Sequence, residues 1–140
     1  MRHGLLALAL LLVSAVSVAM DARAADKLPT DEIVRAEMKT IRDLTLNAHT
    51  LVTHRRLPPA DAKTFHARVK TAVERLRSGT TLDGGVRDEL ENLTRDILVG
   101  AEAIARSPSS MEAIDGIVSI DEALVRYATG FDHPGWQPLR

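Results

Sequence analysis

The stretch VRDELENLTRDILVGAEAIAR, residues 86–106, carries its apolar side chains in one line. Val86, Leu90, Leu93, Ile97, Ala101 and Ile104 follow one another at intervals of 4, 3, 4, 4 and 3. That spacing draws a single stripe along a helix, with charged residues filling the other faces. Asp88, Glu89 and Glu91 open the segment, where negative charge complements the helix dipole. Asp83-Gly84-Gly85 just before it reads equally as a cap or as a loop.

Working outward, three more segments show the same period. Upstream, Pro29-Thr30 precedes a helix expected to use Thr30 as N-cap, with Asp31 and Glu32 in its first turn. Its apolar residues are Ile33, Ile41, Leu44, Ala48, Leu51 and Val52. His54-Arg55-Arg56 place cations at its negative end, and Pro58-Pro59 stop it. A second helix, expected over 59–77, takes Pro59 into its first turn and buries Phe65, Val69, Ala72, Val73 and Leu76. Gly79 follows where a left-handed residue would end it. Downstream, Ser107-Pro108 reads as an N-cap and first-turn proline. The last helix then runs to about Gly130 on a seam of Ile114, Ile117, Ile120, Leu124, Tyr127 and Phe131. Gly116 inside it costs about 1 kcal/mol relative to Ala, so close packing or an irregularity is expected there.

No segment alternates with period two, and the connections are short. Short connections make successive helices antiparallel neighbours. The expected fold class is all-α, an up-down-up-down antiparallel four-helix bundle.

The N-terminus reads differently. Arg2 and His3 precede an uncharged run from Leu5 to Met20, and Ala22-Arg23-Ala24 follows as a small-x-small processing site. Residues 1–24 therefore read as a signal peptide, cleaved between Ala24 and Ala25, and residues 25–140 as one bundle domain. The alternative, an uncleaved anchor, needs about 20 apolar residues, more than this run supplies. With no Cys in the chain, a lipid anchor, a disulfide, a c-type haem, an iron–sulfur cluster and a thiolate zinc site are all excluded. Arg- and Ala-rich, Lys-poor usage points to a high-GC bacterium, and hence to the periplasm. The formal net charge of −1 is spread without basic blocks, which argues against a nucleic-acid partner. After cleavage no stable membrane anchor is expected.

Candidate metal ligands are few. His49 and His54 are five residues apart, about 140° around a helix, and cannot chelate together. His49 and His66 could meet across the first hairpin, and they are the metal candidates. Asp121 lies between Val118 and Val125 on one edge of the last helix, with Glu122 beside it, but no spacing implies an acid–base pair. There is no G-x-S-x-G, and Ser109-Ser110 belongs to the start of the last helix. No catalytic residue is assigned. The most distinctive stretch is the tail, where Tyr127, Phe131 and Trp136, three of the chain's four aromatic side chains, gather with Asp132 and His133. They read as an end-cap of the bundle or as a docking surface.

The ending Tyr127-x-x-x-Phe131-Asp132-His133-Pro134-Gly135-Trp136 resembles that of a group of small exported proteobacterial proteins of unknown function. Some of these bear the name of a daunorubicin-cluster regulator. The likeness extends loosely to Leu57-Pro58-Pro59-Ala60-Asp61 and to Asp96-Ile97-Leu98-x-Gly100-Ala101, and only the tail is specific. Relatives often have a Cys at the end of helix 2, which this chain lacks. The resemblance implies a fold and a compartment but no activity, and the DNA binding in that name has no support in this charge pattern. A weaker likeness is to periplasmic b-type cytochrome bundles, which pair a Met in helix 1 with a His near the end of helix 4. Met38 and His133 are the corresponding cofactor candidates, although Pro134 turns the chain out of the helix at His133. The leading expectation is a non-catalytic periplasmic module that binds a protein partner, a metal ion or a small apolar ligand, with no cofactor. The alternative is a carrier of b-type haem or of a metal ion, and an enzyme comes third.

Overall fold

The computed structural model describes residues 26–139; the leader and its Ala24–Ala25 site lie outside them. Four helices follow in order: α1 (Glu32–Thr53), α2 (Pro59–Gly79), α3 (Gly84–Arg106) and α4 (Met111–Gly130). Each packs on its neighbours in sequence, and α4 closes the ring against α1, giving the four-helix bundle. None of these helices is long and apolar enough to cross a membrane.

The stripe of α3 is the centre of the core. Leu90, Leu93, Ile97, Ala101 and Ile104 are all buried, while Val86 packs against the core from its margin. The α2 stripe of Phe65, Val69, Ala72, Val73 and Leu76 is buried as its period requires. On α1 the buried face is Val34, Met38, Ile41, Leu44, Thr45, Ala48 and Val52. Ile33 and Leu51, expected on that face, are instead 37% and 40% exposed. Each sits one residue from a buried Val, on the shoulder of the stripe, where the helix turns them toward the rim. The α4 seam is buried at Ile117, Ile120, Leu124 and Tyr127, with Ile114 half-buried.

Several helix ends depart from the sequence reading. The N-cap of α1 is Asp31 and not Thr30: its Oδ1 accepts from the Val34 N–H at 2.8 Å. Its Oδ2 accepts from the Thr80 hydroxyl at 2.7 Å and the Thr81 N–H at 3.0 Å. One carboxylate thus satisfies α1 and ties it to the turn after α2. Thr30 is spent elsewhere, donating to the carbonyl of Asp132. α1 ends at Thr53, before the basic triplet, because Arg55 enters the left-handed region at φ 56. The N–H groups of Arg55 and Arg56 then fold back onto the carbonyls of Val52 and Leu51, the two bonds of a Schellman cap. His54 is the C-cap residue.

Gly79 does not end α2 in a left-handed turn: it is the last helical residue, and Thr80 after it is extended, at φ −68 and ψ 141. Glycine suits the position because a Cβ there would lie 3.2 Å from Cγ2 of Ile33. At the α3–α4 corner Ser107 caps the end of α3, and Ser110 is the N-cap of α4, accepting from the Ala113 N–H at 3.2 Å. Pro108 therefore belongs to the turn and not to the first turn of α4. Gly116 resolves as close packing: its backbone lies directly against that of Gly100.

The two ends of the described chain are tied together. Leu28 and Phe131 form an isolated parallel bridge, with Leu28 N–H to Gly130 carbonyl and Asp132 N–H to Leu28 carbonyl both at 2.8 Å. Phe131, expected as the last seam residue, is the buried C-cap of α4. Beyond it the chain turns back along the bundle, where Arg42 of α1 donates to the carbonyls of Gln137 and Pro138.

Candidate functional site

α1 and α4 meet at a polar pair. Nε2 of His49 lies 3.1 Å from Oδ2 of Asp121, and the two side chains are 24% and 13% exposed. The histidine candidate of the first hairpin is thus directed to the other neighbour of α1. His66 lies half-buried on α2. Among the described residues no group of three or more His, Asp or Glu side chains converges to hold a metal ion.

Below this pair lies the aromatic end of the bundle. Tyr127 is fully buried, Phe131 stacks on it at 5.1 Å between ring centroids, and Trp136 meets it edge-on at 4.9 Å. His133 lies 5.0 Å from Trp136 and bonds the Tyr127 hydroxyl through Nδ1 at 2.7 Å. Burial pushes the Tyr127 hydroxyl well above its ordinary pKa. Burial, then the nearby Arg35 guanidinium, lowers that of His133. Both shifts favour neutral partners, a phenol and an uncharged imidazole sharing one hydrogen bond. Asp132 contributes its backbone to the clasp with Leu28 and Thr30.

Met38 and His133 do not fit an axial pair. A porphyrin needs its two ligands to face each other across an open slot. Met38 is 0% exposed within the packed core, and His133 is engaged by Tyr127. Neither lines a cleft described for the surface.

The larger cleft, about 700 Å³, lies between the outer face of α4 and the returning tail. Val118, Leu124, Val125 and Ala128 line it from α4, and Trp136, Pro138 and Leu139 from the tail. Asp121, Glu122, Arg126 and Thr129 supply its few polar groups. Val118 and Val125 are 43% and 61% exposed, two apolar side chains presented to solvent two turns apart. A smaller hollow of about 180 Å³ sits where α1 meets the start of α2, between Leu51, Leu57 and Phe65.

The sequence singled out Trp136 and Asp121 without joining them. It missed Pro138 and Leu139 because nothing in their local pattern says where the tail returns. The seven-residue interval between Val118 and Val125, opposite the buried seam, was the available signal for a second apolar face. No known protein family, no curated protein and no solved structure matches this chain.

Proposed function

We propose that this chain is an exported, non-catalytic binding module that takes a small apolar or amphipathic ligand in the cleft between α4 and its C-terminal tail. The observation that carries the reading is the cleft itself. Its volume of about 700 Å³ falls within the range of small-molecule sites, and an apolar wall with a few polar groups is their usual lining. The tail forms one wall as a strap, held at the α1 side by Arg42 and at its root by the Tyr127–His133 bond. The two walls are thus separate segments. Export rests on the leader alone, with the basic start, the apolar run and the Ala22-x-Ala24 site.

Trp136, the chain's single tryptophan, lines the cleft, so its emission reports occupancy. Titration with a panel of apolar probes is expected to shift Trp136 emission saturably in the native protein. Val125→Arg fills the cleft from an exposed position and is expected to abolish the shift without unfolding the bundle. A panel that leaves Trp136 unchanged, or one that shifts it equally in Val125→Arg, removes the cleft as the binding site. Export is checked separately: the intact mass of protein from the periplasm is expected to begin at Ala25, and a full-length mass contradicts it.

A further inference from the structure

We infer that the ligand of this cleft is an amphiphile with a cationic head, its apolar chain lying under Trp136, Pro138 and Leu139 and its head beside Asp121 and Glu122. The inference rests on the cleft being the binding site and adds the charge and orientation of what it takes. The α4 wall from Val118 to Thr129 is about three turns, about 16 Å, long enough for an extended alkyl chain. Its two ends differ. Trp136, edge-on to Tyr127, marks the end near Ala128, while Asp121 and Glu122 stand about 10 Å back along α4, near exposed Val118.

The charges of the lining are unequal in availability. Arg126, the one cation among the lining residues, is committed to Asp96 of α3 at 2.5 Å. Arg42 lies near the strap but is held by Asp43 and by the carbonyls of Gln137 and Pro138. Asp121 shares one oxygen with His49. Glu122 is exposed and forms no ion pair among the described residues. Among the described residues, the cleft therefore offers an incoming head group the exposed Glu122 carboxylate, beside the Asp121–His49 pair, with its one lining cation already bound to Asp96. An anionic head at the same place would meet repulsion, and a neutral one would gain nothing. The indole of Trp136 at the far end is suited to alkyl contact.

The test compares dodecyltrimethylammonium, laurate and dodecyl maltoside, each below its micelle-forming concentration, by Trp136 emission and calorimetry on the mature protein. The ammonium is expected to bind about tenfold more tightly than laurate, from attraction in one case and repulsion in the other. The gap is expected to narrow with added salt. Glu122→Gln, at an exposed position, is expected to weaken the ammonium about fivefold and leave the maltoside unchanged. Equal binding of all three probes, or tighter binding of laurate, overturns the charge assignment while leaving the cleft as the site. Loss of Trp136 response to every probe overturns the cleft reading instead. An ammonium affinity unchanged in Glu122→Gln overturns the placement of the head.

Discussion

Gly100 of α3 and Gly116 of α4 lie back to back: a Cβ on the first would fall 2.5 Å from the Gly116 carbonyl oxygen, and one on the second 2.6 Å from that of Gly100. Neither neighbour is a flexible side chain that could swing away. Gly→Ala at either place gains about 1 kcal/mol in helix propensity. Overpacking costs about 1–3 kcal/mol, and more where backbone meets backbone. The clash wins, and Gly116→Ala is expected to lower stability by about 2 kcal/mol or more in chemical denaturation. A neutral or stabilised Gly116→Ala would mean that the helices do not approach this closely.

Arg55 presents the opposite case. It holds a left-handed conformation without being glycine, at a cost of about 1–2 kcal/mol, part of which glycine returns through unfolded-state freedom. Arg55→Gly is expected to raise stability by about 0.5–1 kcal/mol, read from the denaturation midpoint at constant slope. A loss would show that the exposed contact of Arg55 with Met111 outweighs the backbone term.

Asp31 joins two ends of the bundle through one carboxylate. Burial pushes its pKa up, but the Thr80 hydroxyl, the N–H groups of Val34 and Thr81 and the charge of Arg35 outweigh that and leave it lowered from 3.8. The unfolded chain thus takes up this proton first. The stability Asp31 contributes is complete above pH 3.8 and is lost as pH falls through the lower folded value. Asp31→Ala is expected to cost about 1–2 kcal/mol at neutral pH, as a lost cap and lost cross-link. It should also flatten the acid limb of the stability profile. An acid limb unchanged in the variant would remove Asp31 as its source.

His133 works on the same principle nearer neutrality. Folding lowers its pKa from 6.5, so its neutral form contributes stability above that value. The contribution is lost as pH falls through the folded value. Arg35 opposes the imidazolium, and the Tyr127 hydroxyl accompanies the neutral ring. Trp136, 5.0 Å away, is expected to change emission as pH falls below 6.5 and the ring takes up its proton, and His133→Gln to remove that change. Tyr127→Phe is expected to cost about 1 kcal/mol as a lost hydrogen bond. Emission that titrates identically in His133→Gln would place its origin elsewhere.

The helix stripes were legible because each is a property of a few consecutive turns. Leu90, Leu93 and Ile97 needed no partner to be identified as core. The caps were less legible, since Thr30, Asp31, Ser107 and Ser110 are all able to cap. The choice between them depends on what else claims the side chain. Asp132 takes Thr30, and Thr80 helps fix Asp31, each about fifty or a hundred residues away in sequence. The candidate site was legible in pieces for the same reason. Trp136 stood out by composition and Asp121 by its place on α4, but the tail and the helix face become one cleft through long-range contacts such as those of Arg42 with Gln137 and Pro138.

The clasp between Leu28 and Phe131 has a consequence for the order of assembly. Thr30 and Asp132 are 102 residues apart, and closing a loop of that length costs about 4 kcal/mol in chain entropy. The clasp's few hydrogen bonds, at about 1 kcal/mol each, do no more than match this. It can close only once the helices have brought its two strands within reach, so it is the last seal and not a nucleus.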